Sequence, residues 1–314
     1  MTHPSNRQNS ILANIITVQV SIRDGLRAYS TPRGGKSCLI AVPYPVTAIF
    51  KLKWSAILTQ ATASIQTIVF GKRNTEDYEG VLRDVKKAGY PAFETGNMHL
   101  SIGKDRTNAI LAETGLRVSG MHLGFDDFAD AEKLGQHMAF AKAVDTHHLM
   151  CSAKFSTKEE YANACKVFDQ AGERLSDAGL SLNYHNHAWE FDDIGGLTGI
   201  DYLLNETKAA YLKFNIDIFW CFYGSVDPAA FIRANGHRAD YLHFKDGEKR
   251  HKEDGTPYPH FLELGRGDVD VLGAMQAARE IDALWIVSEQ DSTEIDPSES
   301  AAISRNYMLE QLGV

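Results

Sequence analysis

Short apolar runs alternate with longer amphipathic stretches from Ser64 to the end of the chain, and this alternation limits the fold more than any other feature. The short runs are rich in β-branched residues, as strands are, and the longer stretches repeat apolar residues at helical spacing. Eight such strand–helix units in about 250 residues predict a single-domain α/β fold, the (β/α)₈ or TIM barrel. The predicted strands are Ile65–Phe70, Ala92–Thr95, Arg117–Leu123, His147–Cys151, Leu180–His185, Tyr211–Ile216, Tyr241–Phe244 and Leu284–Ser288.

Capping residues support the helices between these strands. Ser156 and Glu159 have the spacing of a capping box, and they precede a helical stripe of apolar residues that ends before Gly179. Asp227-Pro228 and Asp296-Pro297 each place a capping carboxylate before a proline at the first helical position. These signals predict helices that begin at 156, 228 and 297.

Composition and charge exclude several classes of protein. The formal net charge of −9 argues against a nucleic-acid binder, which usually carries a basic stripe. No apolar run reaches the roughly 18 residues needed to cross a bilayer, so we expect no membrane partner. A doubly wound open sheet, the alternative α/β fold, lacks support because Gly71-Lys72-Arg73 after the first strand is not a phosphate-binding loop. The four scattered cysteines form no C-x-x-C pair and are expected to be buried reduced thiols.

Residues 1–62 lie outside the repeating pattern. We predict an N-terminal extension over 1–62, either poorly ordered or produced by a wrongly assigned start codon, and a barrel domain over 63–314. Lys51 and Lys53 interrupt the segment that would precede the signal-peptidase-like Ala61-Thr62-Ala63, and the apolar run starts too late for a secretory signal. A cytoplasmic location is therefore favoured, in agreement with the reduced cysteines.

Imidazole or carboxylate side chains lie within one residue of the carboxyl end of each of the last four predicted strands. In a TIM barrel the active site lies at these carboxyl ends, and neighbouring strands are roughly 5 Å apart. Each residue alone has an ordinary explanation as a core histidine or a helix cap, but their equivalent positions favour convergence on one point. Such a mixed set suits Mn, Co, Zn or Fe better than Mg or Ca. We predict one divalent metal ion bound by His185, Asp217, His243 and Glu289.

Further residues near these strand ends are candidates for catalysis and for substrate binding. Glu289 can act as a base, and His187 or Lys245 as the acid that protonates a leaving group. The candidate substrate contacts are His122, Glu94, Trp220 and Glu190. A structural role stays open for each of these four, and packing is the favoured role for Trp220. His147 and His148 are predicted to be structural.

Seven parts of the chain carry a recognisable pattern: Ile65-Gln66-Thr67, Ser119-Gly120-Met121-His122, Tyr184-His185-Asn186-His187 with Glu190-Phe191, Asn215-Ile216-Asp217 with Trp220, His243-Phe244-Lys245-Asp246, Leu264-Gly265-Arg266-Gly267-Asp268-Val269-Asp270, and Ser288-Glu289-Gln290-Asp291. In them the chain resembles the sugar phosphate isomerase/epimerase family, which has a xylose isomerase-like TIM barrel, includes inosose dehydratases and is related to endonuclease IV. The resemblance covers about 64–314. It implies one divalent metal ion held by a Glu, an Asp, a His and a second Glu on successive strands. Asp217, His243 and Glu289 match the last three positions, and His185 stands where many members have Glu.

The imidazole at position 185 bears on the chemistry that the resemblance implies. In epimerases of this family, two metal-bound glutamates lie on opposite faces of the substrate and exchange protons at one carbon. Here Glu289 can still act as a base, but the opposite partner would have to be His185, His187 or Glu190. We expect an isomerase or epimerase of a keto-sugar or related polyol, with a lyase or dehydratase as the alternative because elimination begins with the same proton abstraction.

Two other classes of function are weaker alternatives. A non-catalytic sugar-binding barrel would use the same strand ends without turnover. A nuclease is disfavoured because the endonuclease IV type gathers several metal ions and this chain is acidic. The expected partner is therefore a small sugar-like molecule, and a homo-oligomer is compatible with the sequence.

Overall fold

The computed structural model describes residues 21–23, 26–29, 38–39, 61–96 and 99–314. Its main feature is a closed barrel of eight parallel strands, in which each strand pairs with the next along the chain and the last pairs with the first. The predicted TIM barrel is confirmed. The barrel strands are β1 (Thr62–Gln66), β2 (Ala92–Thr95), β3 (Arg117–Leu123), β4 (His148–Cys151), β5 (Ser181–His185), β6 (Leu212–Asp217), β7 (Tyr241–Phe244) and β8 (Trp285–Ser288).

The first barrel strand is the one that differs most from its prediction. Three of the other strands have the predicted bounds and four are shifted by one residue, whereas β1 ends at Gln66 and Thr67–Phe70 forms a 3₁₀ turn. The Gln66 side chain accepts the N–H of Ile68 at 2.6 Å and so caps this turn. Val69 and Phe70 are nevertheless buried. A short apolar run therefore predicts burial here, but it does not distinguish a strand from a turn of helix.

Helices follow the strands and pack around the barrel. Most of them bury an apolar stripe at helical spacing, for example Tyr161, Cys165, Phe168 and Leu175 in the longest helix. The helices are α1 (Arg73–Glu76), α2 (Tyr78–Lys87), α3 (His99–Ile102), α4 (Lys104–Thr114), α5 (Phe125–Ala129), α6 (Ala131–Ala143), α7 (Lys158–Asp177), α8 (Gly199–Glu206), α9 (Ile218–Tyr223), α10 (Pro228–Asn235), α11 (Val271–Glu280) and α12 (Pro297–Tyr307), with 3₁₀ turns at Trp189–Phe191 and Gly236–Arg238 and a π-helical turn at Met308–Leu312.

The cap of α7 lies one residue later than predicted. Thr157 accepts the N–H of Glu160 at 3.2 Å, and the Glu160 carboxylate accepts the N–H of Thr157 at 3.1 Å. Two overlapping pairs have the capping-box spacing, and only the extended backbone of Thr157 selects the second one. Asp227 and Asp296 cap α10 and α12 with the proline in the first turn, as predicted.

A β-hairpin follows β7 and brings an aromatic side chain to the carboxyl end of the barrel. Its strands, Asp246–His251 and Pro257–Leu262, pair antiparallel. The Asp246 carboxylate accepts four backbone N–H groups, three of them from the loop Gly265–Val269, and so ties that loop to the start of the hairpin. A Cβ at Gly267 would lie 2.3 Å from Asp246 Oδ1, so this close approach requires glycine. The hairpin places the Phe261 ring 5.2 Å from that of Phe219.

Three short strands are described ahead of the barrel, and they form an antiparallel sheet of their own over 21–23, 26–29 and 38–39. Most of the predicted extension over 1–62, including Lys51 and Lys53, lies outside the described residues, so its order and its start stay predictions. Cys151, Cys165 and Cys221 are free and buried, as expected. Within the described ranges, no helix combines the length and the apolar character that crossing a membrane requires.

Candidate metal centre

The carboxyl ends of β5 to β8 bring the four predicted metal ligands together. His185 and Asp217 are the last residues of β5 and β6, His243 lies in β7, and Glu289 directly follows β8. All four side chains are buried, and one ligand atom from each lies within 4.8 Å of the others. His185 Nε2 is 3.3 Å from Asp217 Oδ2 and 3.7 Å from Glu289 Oε2, and His243 Nδ1 contacts Glu289 Oε2. We call these four residues the ligand cluster.

The ligand cluster fits a divalent cation in its donor atoms and in its charge. His243 Nδ1 and Glu289 Oε2 are buried and lack a hydrogen-bond partner among the described residues, although they face each other. Two imidazole nitrogens and two carboxylate oxygens suit Mn, Co, Zn or Fe. Four carboxylates, those of Asp217, Glu289, Asp291 and Glu94, surround only two cationic side chains, Lys245 and His243. A buried excess of negative charge is costly unless a cation offsets it, so the site has the electrostatics of a metal centre.

The two imidazoles of the ligand cluster differ in protonation. Burial lowers the pKa of His243, but the carboxylates of Glu94 and Glu289 outweigh it and raise this pKa to about 10. For His185 burial dominates, and the pKa lies well below its ordinary value. A metal ion at His243 Nδ1 would therefore have to displace a proton from that nitrogen, because only the unprotonated atom is a ligand.

Lys245 lies inside the charged centre rather than at its rim. Its Nζ is 3.0 Å from Glu289 Oε1, 2.9 Å from Asp291 Oδ2 and 3.5 Å from Asp217 Oδ2. The ammonium also packs 5.2 Å from the ring centre of Trp220 and 5.3 Å from that of Phe261. Burial alone would lower the pKa of Lys245, but the three carboxylates raise it above the ordinary value. The side chain stays charged and, together with His243, holds the pKa of Glu289 well below its usual range despite burial.

Glu94 and His122, two of the predicted substrate contacts, lie next to the ligand cluster but at different depths. Glu94 has no exposed surface and accepts hydrogen bonds from His243 Nε2 at 2.7 Å, from the Tyr241 hydroxyl at 2.8 Å and from His122 Nδ1 at 3.2 Å. Burial would raise the pKa of Glu94, but the two histidines lower it to about 2. His122 keeps 17% of its side chain exposed, with its ring 5.2 Å from that of His185. Only His122 of these two has surface to offer a substrate.

Aromatic rings form a wall beside the ligand cluster. His187 stacks on Trp189 with ring centres 4.0 Å apart and lies 5.2 Å from Trp220 and 4.9 Å from His185. Burial lowers the pKa of His187 to about 2, so its imidazole is neutral near neutral pH. Trp220 packs between His187 and the Phe261 ring, at 5.2 and 5.8 Å. The wall therefore combines flat apolar ring faces with a neutral imidazole.

Glu190 and the strand-four histidines lie away from the ligand cluster. The Glu190 carboxylate accepts the Tyr184 hydroxyl at 2.7 Å and the backbone N–H of His187 at 2.8 Å, and burial raises its pKa to about 7. It therefore supports the segment that carries His187. His148 is buried, its Nδ1 lies 3.1 Å from the Ser181 hydroxyl near the amino end of the barrel, and His147 is exposed, in keeping with the structural roles predicted for both.

A model of the xylose isomerase-like TIM barrel family matches residues 82–311. The chain belongs to this family. The resemblance inferred from the sequence is confirmed, since structural neighbours also include a sugar phosphate isomerase/epimerase from Parabacteroides distasonis, with a TM-score of 0.67, 19% identity and coverage of 80% of this chain and 94% of that one. An L-ribulose 3-epimerase has a TM-score of 0.62 and 15% identity, and covers 81% of this chain and 95% of its own. At such identities these structures share the fold.

One curated relative of this xylose isomerase-like barrel carries a different activity. The inosose dehydratase of Halalkalibacterium halodurans is 24% identical over 169 residues, which make up 50% of this chain and 55% of that protein. The match thus spans about half the length of that relative. Epimerases and a dehydratase therefore both occur among proteins similar to this family member.

Sequence reasoning missed several residues of the site in this xylose isomerase-like barrel. Tyr241 begins β7, and only the closed barrel shows its hydroxyl on Glu94. Phe261 reaches the aromatic wall through the hairpin, at a distance along the chain that no local pattern encodes. Trp189 was within reach, because it directly precedes the candidate Glu190 and repeats the aromatic character of Trp220.

Proposed function

We propose that the chain is a divalent-metal-dependent isomerase or epimerase that acts on a keto-sugar or related polyol. The observation that carries this proposal is the ligand cluster, whose four ligand atoms lie within 4.8 Å of one another. Its Glu289 has two separate tasks available, since Oε2 lies in the cluster and Oε1 contacts Lys245. Membership of a family with sugar isomerases and epimerases among its structural neighbours supports the same class of reaction.

Glu289 is the base in this proposal. A bound divalent cation would polarise the substrate carbonyl and stabilise the negative charge that develops on its oxygen. The ionised Glu289 takes the proton from the carbon next to the carbonyl. For isomerisation it then returns this proton, on the same face, to the former carbonyl carbon, while the proton of the neighbouring hydroxyl moves to the former carbonyl oxygen. Lys245 keeps this carboxylate ionised through the 3.0 Å contact, and its charge lies where negative charge accumulates.

Proton return on the opposite face, which epimerisation requires, falls to an imidazole. His185 occupies the first ligand position and its Nε2 is directed at Asp217 and Glu289, so its lone pair belongs to the cation. His187 and His122 are adjacent to it, with rings 4.9 and 5.2 Å away. Burial lowers the pKa of His187 to about 2, so in this proposal its neutral imidazole donates a hydrogen bond to the substrate, and the acid role first predicted for it stays a prediction.

Elimination by a lyase or dehydratase is the second candidate function. It is favoured by the ligand cluster, in which Glu289 is the one glutamate and His185 stands at the position that many family members fill with a second glutamate, and by the similarity to an inosose dehydratase. Elimination needs one base and one separate acid, and it does not need a second carboxylate. The substrate, the native metal, a cytoplasmic location and any homo-oligomer stay predictions.

Metal replacement and deuterium exchange test the proposal. The purified protein is stripped with a chelator, reloaded with Mn, Co, Zn or Mg, and incubated in deuterated water with a panel of keto-sugars and inososes. We expect activity only after metal is restored, with deuterium at a carbon next to the carbonyl of an isomerised or epimerised product. Loss of water or of an aglycone would assign the lyase instead. Activity that survives complete chelation would overturn both assignments.

A further inference from the structure

Both carboxylate oxygens of Glu94 accept hydrogen bonds from other side chains of the site. Oε2 accepts hydrogen bonds from His243 Nε2 at 2.7 Å and from the Tyr241 hydroxyl at 2.8 Å, while Oε1 accepts one from His122 Nδ1 at 3.2 Å. With no exposed surface, Glu94 has no oxygen left for a substrate hydroxyl. This geometry departs from the substrate-binding role predicted from its position at the end of β2.

We propose that Glu94 is a positioning residue that sets the ring tautomers of two histidines, His243 and His122. An ionised carboxylate only accepts hydrogen bonds, so the ring nitrogens that face it must carry protons. For His243 this places a proton on Nε2, so Nδ1, which faces Glu289 Oε2 in the ligand cluster, is the nitrogen whose lone pair a metal ion would take up after displacing its proton. The inference rests on the proposed function, because it treats that lone pair as a metal ligand.

The same carboxylate determines what His122 presents near the cluster. With its proton on Nδ1, the neutral ring leaves a lone pair on Nε2, which accepts the Ser152 hydroxyl at 3.1 Å. His122 is partly exposed, and its ring centre lies 5.2 Å from that of His185 and 6.2 Å from that of His243. One buried carboxylate therefore orients a ligand of the cluster and a histidine at its edge through separate oxygens.

A chain of hydroxyl groups inside the barrel holds Glu94 from behind. Because the Tyr241 hydroxyl donates to Glu94, it accepts from Ser119 at 2.8 Å, and Ser119 in turn accepts from Ser64 at 2.7 Å. All of these side chains are buried. Branched apolar residues usually fill the interior of a TIM barrel, and a buried polar network is favourable only when its members are satisfied. This chain of hydroxyl groups fixes the Glu94 carboxylate in one orientation.

Metal affinity tests the inference without reference to turnover. In the Glu94→Gln variant the amide nitrogen cannot accept a hydrogen bond, so one histidine loses its partner and the negative charge is lost. We expect the affinity for Mn or Zn, measured by calorimetry on the metal-stripped full-length protein, to fall about 10- to 100-fold. The matched control is Asp240→Asn, which changes a carboxylate that pairs with Lys213 at the amino end of β7 and should leave metal affinity unchanged.

Nitrogen NMR of histidine-labelled protein gives a second readout that does not depend on the variant folding. In zinc-loaded wild-type protein we expect a proton on Nε2 of His243 and on Nδ1 of His122, both slow to exchange with solvent. Metal attached to His243 Nε2, a proton on His122 Nε2, or unchanged metal affinity in Glu94→Gln would each overturn the inference. If the wild-type protein binds no metal, the proposed function fails by itself, while the His122 tautomer still tests Glu94.

Discussion

The two halves of the barrel contribute differently to the same site. Strands β5 to β8 supply all four residues of the ligand cluster, whereas β2 and β3 supply Glu94 and His122, which hold or border it. In the second half, each residue of the ligand cluster lies within one position of the carboxyl end of its strand. In the first half, the Glu94 carboxylate is buried behind His243, which belongs to the second half. Position at a strand end thus reveals candidate ligands, but it does not reveal the residues that orient them.

The largest expected effect is a difference in kcat between a variant of the second half of the barrel and a variant of the first half. Replacing the second-half base in Glu289→Gln should lower kcat by about 10³-fold, because the amide cannot take a proton from carbon. The first-half variant His122→Gln should lower it by only about 10-fold, since it removes a neighbour of the cluster and no ligand. Initial rates of the proton-exchange reaction with saturating metal measure both. Equal losses in the two variants would show that the halves share the chemistry evenly.

Opposite dependences of stability on pH are the next expected effect. Burial lowers the pKa of His148, in β4, to about 4, and raises that of Glu190, after β5, to about 7. The neutral form is favoured in the folded state in each case. The contribution of His148 is fully present above pH 6.5 and is lost as the pH falls towards 4, whereas that of Glu190 is fully present below about 4.5 and is lost as the pH rises through 7. Each change amounts to about 3 kcal/mol.

Urea unfolding of His148→Gln and Glu190→Gln between pH 4 and 8 measures these contributions. The histidine variant should lose less stability than wild type as the pH falls from 6.5 to 4. The glutamate variant should be more stable than wild type at pH 8 but not at pH 4.5. Its gain in the free energy of unfolding at pH 8 is reduced by the cost of one lost hydrogen bond. If both variants shift the profile on the same side, the electrostatic contrast between the two regions is wrong.

The smallest expected effect is the loss of a helix cap, which should lower the free energy of unfolding equally in the two halves. Asp130 caps α6 in the first half by accepting the N–H groups of Glu132 and Lys133, and Asp296 caps α12 in the second half in the same manner. Replacing either by alanine should lower the free energy of unfolding by about 1 kcal/mol, because each leaves helical N–H groups without a partner. Thermal or urea denaturation at neutral pH measures both, and markedly unequal values would mean that even local caps depend on the surrounding half.

Sequence-based prediction succeeded where one local pattern carries the information. The strands at Ala92–Thr95, Arg117–Leu123 and Tyr241–Phe244 have the bounds that their apolar runs predicted. The convergence of the four residues of the ligand cluster was predicted correctly because parallel strands in a barrel share one carboxyl end, so order along the chain translates into proximity. Prediction failed at Thr67–Phe70 and at the Thr157 cap, where two local structures match the same residues and tertiary contacts choose between them.

By itself the sequence determined the number of strand–helix units, the buried face of each, and the side chains that end the strands, because each depends on the spacing of residues close along the chain. Only the tertiary structure decided that Glu94 lies behind His243, that Lys245 is enclosed by three carboxylates, and that Phe261 joins the aromatic wall. Those contacts join residues tens to more than a hundred positions apart, and their partners are set by barrel closure and by the cost of burying an unpaired polar group.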